Sequence, residues 1–250
     1  MHLVAIAELK GQLDTPQLNA LATDIGTTAY ELRLLLNAGL PAVVLVTSDG
    51  AQAKAAYDAI HRHSHVPAIC DRSRTVQTAS MTTLRHFEIT PTHLTSDPSS
   101  GETCPWEDIS VMLRALHRST RETVETVKER KFQPGMAIAS GGLILSKKIT
   151  KDVTTTTATR EQVLYLFRRS GQNPWILRER VASFAALGPA MAPSSFENFT
   201  KAVAQLRKLA PKAVYDERLL VSRPIRGLGE GSDSTDLLAY LLADYLAGEK

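Results

Sequence analysis

The chain has 250 residues, of which 43% are hydrophobic and 22% are charged, and its formal net charge is +3. This is the composition of a soluble globular protein with room for one large domain or two smaller ones. The longest apolar runs fall far short of the roughly 20 residues that cross a bilayer, which excludes a protein built on transmembrane helices. No signal-type start or lipidation motif is visible, so we expect a cytoplasmic protein.

The N-terminal part of the chain predicts two helices after an opening strand. Residues 4–9 form a short apolar stretch suited to that strand. Thr15 and Pro16 then begin a helix, since a hydroxyl caps free amides and proline is preset to the helical φ. Thr28 and Glu31 form a capping box, which begins a second helix directly after the first.

A strand, a helix and a strand follow, so that the whole module has the order βααβαβ. Residues 42–46 are a continuous apolar run, typical of a strand covered on both faces. Asp49 caps the next helix, and residues 66–70 form the last strand. We expect these two strands to pair in parallel through a right-handed crossover, or to lie in one small mixed sheet with the opening strand.

This arrangement resembles the C-terminal domain of the ribosomal stalk protein and the related Clp protease adaptor, small α/β modules that present a helix face to partner proteins. The resemblance implies a protein partner, although the acidic loop with which the Clp adaptor grips a peptide has no match. The opening is also similar to a response-regulator receiver, in which Asp49 and Asp71 would hold magnesium. The other strands and the lysine of a receiver do not follow, so we favour capping and loop roles for both aspartates.

A strand-rich domain is predicted for residues 80–222. Its clearest hairpin joins residues 163–167 to residues 175–178 through a Ser-Gly-Gln-Asn-Pro turn. An amphipathic helix follows at residues 195–209. Several antiparallel strands closed by one long helix resemble a pleckstrin-homology-like or GRAM-like domain, and residues 104–109 are similar to a phrase that such bacterial domains carry at the start of a strand. A generic α+β domain with the same elements is the alternative.

The predicted fold class is therefore α+β, with a small module at residues 1–75 before the strand-rich domain. A glycine-rich linker at residues 223–233 leads to an amphipathic helix at residues 234–248. The broad apolar face of this last helix must dock somewhere. It either packs on its own chain or mediates a homodimer.

Positive charge is concentrated in the middle of the chain. Residues 111–180 carry 14 Lys and Arg against 6 Asp and Glu, whereas residues 1–110 carry 7 against 12. If folding brought the basic groups together, they could bind phosphate on nucleic acid or on an anionic lipid. The candidate binding residues are Lys147, Lys148, Lys151, Arg168 and Arg169. The alternative is a solvated face, partly neutralised by Glu122, Glu125 and Glu129 at helical spacing.

Motifs for catalysis or for cofactor binding are not found in the sequence. There is no nucleophile elbow, P-loop or HExxH, and we predict no catalytic residues, no cofactor and no metal. His61, His63 and His65 alternate at the end of a predicted helix, where imidazoles can bond to free carbonyls. They would share one face, as a metal site requires, only if that segment were extended.

These observations favour a non-enzymatic cytoplasmic adaptor that binds a protein partner. The element order, the absence of reactive clusters and the amphipathic last helix all point to surfaces that bind macromolecules. Phosphate-directed binding to nucleic acid or anionic lipid is the first alternative, and an enzyme with an unrecognised site is the second.

Overall fold

The structure, a computed structural model, describes residues 1–99, 101–132, 146–221, 225 and 232–248. The side chains of residues 118–159, 232 and 233 lie outside that description. Both helices and several sheets are present, which confirms the α+β class. Within the described ranges, no helix has the length and apolar character needed to span a bilayer.

The N-terminal part has the predicted order βααβαβ. Its elements are β1 (His2–Glu8), α1 (Thr15–Ile25), α2 (Ala29–Asn37), β2 (Ala42–Thr47), α3 (Gly50–Arg62) and β3 (Val66–Asp71). The sheet order is β2-β1-β3, and β1 runs antiparallel to both neighbours. The opening strand therefore separates the two crossover strands, so they do not pair directly in parallel. They do lie in one small sheet with the opening strand, which was the alternative, although both pairs of that sheet are antiparallel. As a result β3 lies at an edge of this sheet.

Local capping fixes where these helices begin. Thr28 and Glu31 form the predicted capping box at the start of α2, and Asp49 accepts two backbone N–H bonds at the start of α3. The cap of α1 is Asp14 instead of Thr15, because Asp14 exchanges bonds with the backbone and side chain of Gln17. Each reciprocal pair satisfies amide groups that the helix leaves unbonded.

In the described ranges, eight strands and two α-helices follow β3. They are β4 (Thr82–Thr83), β5 (Glu88–Ile89), β6 (His93–Thr95), β7 (Thr103–Pro105), β8 (Ile109–Phe132), β9 (Ser146–Arg168), β10 (Trp175–Arg178), α4 (Ser195–Leu209), β11 (Val214–Leu219) and α5 (Ser232–Gly248). The hairpin between β9 and β10 and the bounds of α4 agree with the prediction.

The larger sheet has five strands in the order β11-β8-β9-β10-β4. It is mixed, because β4 runs parallel to β10 and β11 runs parallel to β8. The predicted antiparallel arrangement therefore fails at both edges. A further difference is that residues 118–132, with the three glutamates at helical spacing, continue strand β8 and form no helix.

The compact units of the chain differ in their boundaries from the predicted segments. One unit comprises Met1–His117 and Glu161–Lys250, and the other comprises Arg118–Arg160. In the first unit, the N-terminal sheet and the five-stranded sheet share a single hydrophobic core with α5. The small N-terminal sheet therefore does not pack independently of the strands that follow it.

Helix α5 lies between the N-terminal sheet and the five-stranded sheet of this unit, which also contains a small sheet in the order β5-β6-β7. Seven of its apolar side chains are 6% exposed or less: Leu237, Leu238, Ala239, Leu241, Leu242, Ala243 and Leu246. Ile225, in the predicted linker, is buried in the same core. The apolar face of α5 is therefore covered by its own chain, which is the first of the two predicted alternatives.

The other faces of the two sheets have separate cores. Val4 and Ile6 of β1 pack against α1, α2 and α3. On the five-stranded sheet, Leu164 and Leu166 of β9 pack with residues of α4. Alternate residues of a strand point to opposite faces, so each sheet is covered on both sides. The resulting sequence of layers is helices, sheet, α5, sheet and helix.

Candidate functional site

Arg168, one of the predicted phosphate-binding residues, is an internal ion-pair partner. Its Nε donates to Asp108 Oδ2 at 2.8 Å, its guanidinium lies 5.5 Å from the centre of the Trp175 ring, and its side chain is only 7% exposed. Partial burial raises the pKa of Asp108, but hydrogen bonds from Arg168 and Ser170 outweigh burial and leave that pKa below its usual value. Arg168 is thus engaged in holding neighbouring segments together.

The other predicted basic residues have different surroundings. Arg169 is exposed, and its Nε donates to the carbonyl oxygen of Glu107 at 3.1 Å. Lys147, Lys148 and Lys151 lie on β9, but their side chains fall outside the described part of the structure. A joint phosphate site of these five residues stays a prediction, in which Arg168 is less accessible than Arg169.

A hydrogen-bonded cluster of four side chains lies inside the first compact unit. Its members, which we call the buried polar cluster, are Thr78, His117, Tyr165 and Asp236. The alternation of β8 places His117 on the same sheet face as Ala115, and Tyr165 of β9 lies on that face too. Asp236 reaches them from the start of α5.

The hydrogen-bond partners in the buried polar cluster determine which group donates and which accepts. The Tyr165 hydroxyl donates to Asp236 Oδ1 at 2.5 Å, so its oxygen accepts from His117 Nε2, also at 2.5 Å. Thr78 donates to both carboxylate oxygens, at 2.6 Å through its hydroxyl and 2.7 Å through its backbone N–H. Burial lowers the pKa of His117 and raises that of Tyr165.

An acid, an imidazole and a phenol in contact could move protons, but these groups are enclosed. His117, Tyr165 and Asp236 are 5%, 0% and 3% exposed. No substrate reaches them without opening the core, and each is committed to another member of the cluster. The buried polar cluster therefore ties α5 to β8, to β9 and to the segment at Thr78.

A second polar region borders open space. A cavity of about 610 Å³, which we call the β3 groove, is lined by α3, α5 and residues 66–69 of the edge strand β3. Its lining includes the polar side chains of Lys10, Tyr57, His61, His65, Asp244 and Tyr245. Its volume lies within the range of about 300–1,000 Å³ that is typical of small-molecule sites.

His65 is the most informative residue of the β3 groove. It is 6% exposed, and neither of its ring nitrogens has a hydrogen-bond partner in the described part of the protein. Burial, assisted by the nearby His63, lowers its pKa. A buried imidazole without partners is uncommon, because most buried polar side chains are bonded.

The end of α3 positions His65. Ser64 adopts the left-handed conformation with φ of 63°, and its N–H bonds to the carbonyl of His61 at 2.9 Å. The N–H of His65 bonds to the carbonyl of Ile60 at 3.2 Å. This pair of bonds is the Schellman motif, which normally has glycine at the left-handed position.

The three alternating histidines separate in the structure. His63 Nε2 lies 3.0 Å from Asp24 Oδ2, and this hydrogen bond is the main reason why the pKa of Asp24 is lowered. His61 and His65 instead line the β3 groove. Among the described side chains, no three of the types that bind metals are grouped around a common point. The sequence therefore singled out these three histidines, but it did not predict that His63 contacts Asp24 while His61 and His65 line the β3 groove.

Helix α2 carries a third notable surface. Tyr30 is 70% exposed and Leu34 is 51% exposed, while Leu32 on the opposite side is fully buried. Residues four apart lie side by side on a helix, so the two exposed side chains form one face. A helix that is apolar almost all round belongs in a core or in a protein interface. The structure leaves this face uncovered by the described residues.

Both cysteines are buried thiols. Cys70 and Cys104 are free, and burial raises their pKa values to about 12 and about 11, respectively. A thiol with so high a pKa is a poor nucleophile, since the thiolate is the reactive form.

Comparison of the chain with protein-family models, with curated proteins and with solved structures finds no match in any of the three. The function is therefore inferred from the surfaces of the chain itself.

Proposed function

We propose that this chain is a non-enzymatic adaptor of the cytoplasm that binds a protein partner through the exposed face of α2. The observation that carries the proposal is the exposure of Tyr30 and Leu34 on adjacent turns of one helix. Tyrosine is among the residues that contribute most to protein interfaces, because it buries a large, rigid surface and keeps a polar tip.

The construction of α2 also supports binding. A capping box at Thr28 and Glu31 fixes its start, and the buried Leu32 anchors its inner side. A helix that is already ordered loses little conformational entropy when it meets a partner, which favours affinity. Its Arg33 is exposed beside Tyr30 and Leu34 and adds a polar contact at the edge of the apolar face.

Two features favour binding over catalysis in this proposal. The groups with the most suggestive chemistry, those of the buried polar cluster, bond to one another inside the core. The two thiols are buried and have raised pKa values. Free cysteines also agree with the reducing compartment that the sequence led us to expect.

The test is affinity capture with the full chain from an extract of the cells that produce it. We expect the double substitution Tyr30→Ser/Leu34→Ser to reduce the recovery of a specific partner at least tenfold. The matched control is Phe196→Ser, which removes a side chain of 52% exposure from α4 and should leave recovery unchanged. Both variants should keep the free energy of unfolding within about 0.5 kcal/mol of the parent.

Two results would contradict the proposal. One is the recovery of the same proteins in the same amounts with the Tyr30→Ser/Leu34→Ser variant. The other is the capture of no protein in stoichiometric amount by the folded parent chain.

A further inference from the structure

The unpartnered imidazole of His65 requires a physical explanation. A buried polar group without a hydrogen bond costs about 1–3 kcal/mol, and His65 has two such nitrogens. The residue lines a cavity of about 610 Å³, which is large enough for a small organic molecule. Both nitrogens have almost no contact with solvent, so they reach a ligand in the groove only when the ring turns about its side-chain bonds. A ligand with polar groups would then satisfy the ring and remove this penalty.

The charges along the β3 groove restrict the chemistry of that ligand. Lys10 supplies a cation and Asp244 supplies an anion, while the neutral His65 ring offers one donor and one acceptor. A ligand with only one charge would meet a like charge at Lys10 or at Asp244. A molecule with one positive and one negative group would satisfy both.

Apart from His61 and Ser64, the remaining lining of the β3 groove is mostly aromatic and apolar. Tyr57 and Tyr245 contribute rings, and residues 66–69 include Val, Pro, Ala and Ile. Ile69 is 37% exposed at this edge of the sheet. Such a surface suits a short hydrocarbon or aromatic side chain, which would gain about 25 cal/mol for each Å² of apolar area that it buries.

We infer that the β3 groove binds a small zwitterion of the free α-amino acid class. Its carboxylate interacts with Lys10 and, once the imidazole has turned, with the ring N–H of His65. Its ammonium group interacts with Asp244, and its side chain lies along residues 66–69. The site shares no residue with the face of α2, so it is independent of the proposed adaptor surface.

The experiment is an NMR titration of the histidine side chains in the full chain with each of the common L-amino acids. The nitrogens of His65 have almost no contact with solvent, so binding must turn the ring and shift its resonances. We expect at least one amino acid to shift them with a dissociation constant below about 1 mM, an affinity of roughly 4 kcal/mol. If no amino acid at 10 mM shifts them, the inference is wrong.

Two analogues of the amino acid that binds most tightly, each with a single charge, test whether the ligand must be a zwitterion. For leucine these are 4-methylpentanoate, which lacks the ammonium group, and isopentylamine, which lacks the carboxylate. Each should bind at least tenfold more weakly than the amino acid. Equal binding of the carboxylate analogue would show a simple anion site and would overturn the zwitterion assignment.

Substitutions at the two charged positions complete the test. Lys10→Met and Asp244→Asn should each weaken binding at least tenfold, and both residues are exposed enough for the protein to fold normally. Lys54→Met is the matched control, since Lys54 lies on α3 outside the groove lining and is 77% exposed. The Tyr30→Ser/Leu34→Ser variant should bind the amino acid as the parent does, which separates this site from the adaptor surface.

Discussion

Two histidines in this protein are buried to nearly the same extent but differ in their hydrogen bonds. His117 is 5% exposed and bonds to Tyr165, whereas His65 is 6% exposed and has no described partner for either nitrogen. Burial lowers the pKa of both rings. The satisfied ring lies in a core and the unsatisfied ring borders a cavity. Hydrogen-bond satisfaction, more than burial or pKa, therefore separates a structural histidine from a candidate binding residue.

The largest effect is expected when the buried polar cluster loses its carboxylate. Asp236→Ala leaves the donors of Thr78 and Tyr165 without their acceptor. Each buried donor left unsatisfied costs about 1–3 kcal/mol, so we expect a total loss of more than about 3 kcal/mol. Chemical denaturation measures the change. The control Asp58→Ala removes an exposed carboxylate that pairs with Lys54, and should change the free energy of unfolding by less than about 1 kcal/mol. Equal losses in the two variants would show that the cluster does not stabilise the fold.

Replacing each histidine by phenylalanine should change stability in opposite directions. His117→Phe removes the donor to Tyr165 and should destabilise the protein by about 1–3 kcal/mol. His65→Phe removes two unsatisfied polar atoms and should be neutral or stabilising by about 1 kcal/mol. Denaturant titration at neutral pH without ligand measures both changes in the free energy of unfolding. Destabilisation of similar size in the two variants would mean that His65 is satisfied in the folded protein.

The pH dependence of stability tests the same pair of residues. Both folded-state pKa values lie below the ordinary value of 6.5, so the unfolded chain takes up protons first as the pH falls below about 6.5. Above that pH, the two neutral histidines therefore contribute to the stability of the fold. This contribution is lost as the pH falls, by at most about 1.4 kcal/mol per pH unit for each ring. Between about pH 7 and pH 5, the His65→Phe variant should lose stability with a smaller slope than the parent. An identical slope would show that His65 titrates normally in the folded state.

Local sequence patterns predicted the elements that local interactions determine. The bounds of α4 follow from its amphipathic spacing and from Pro211, and the box at Thr28 and Glu31 marks the start of α2. The hairpin of β9 and β10 follows from two apolar runs around a turn. In each of these cases, the contacts that define the element lie within about 15 residues of one another.

Features that depend on distant contacts could not be derived in this way. Nothing near residues 42–70 indicates that β1 separates β2 from β3. The helical spacing of charges at residues 122–129 did not prevent a strand, because tertiary pairing overrides weak local preference. Arg168 was predicted as a phosphate-binding cation, but Asp108, to which it donates, lies 60 residues away in the sequence.

The buried residues of the candidate sites left only faint signals in the sequence. His117 continues the alternation of Val111, Leu113 and Ala115, and a polar residue at such a position indicates a buried polar contact. His65 had a visible sign in the row of alternating histidines, but its unpartnered state follows only from the packing of α3, β3 and α5. Pattern alone therefore locates such residues without distinguishing their roles.

The smallest expected effect concerns the turn that holds His65. Helices α1 and α3 end in the same hydrogen-bond motif, but Gly26 occupies the left-handed position after α1, with φ of 76°, and Ser64 occupies it after α3. Glycine adopts this conformation without the steric penalty of about 1–2 kcal/mol that other residues meet. Ser64→Gly should therefore stabilise the protein by about 1 kcal/mol, and the reciprocal Gly26→Ser should destabilise it by a similar amount.

Thermal and denaturant unfolding of these two variants measures both changes. Because Ser64 lines the β3 groove, the Ser64→Gly variant should also bind the amino acid ligand more weakly if the hydroxyl contributes to the site. In one outcome, Ser64→Gly is as stable as the parent while Gly26→Ser is clearly less stable. That result would mean that the Ser64 hydroxyl compensates the strain of its own turn. A gain in stability with a loss of ligand affinity would instead mean that serine is kept at this position for binding, at the expense of the fold.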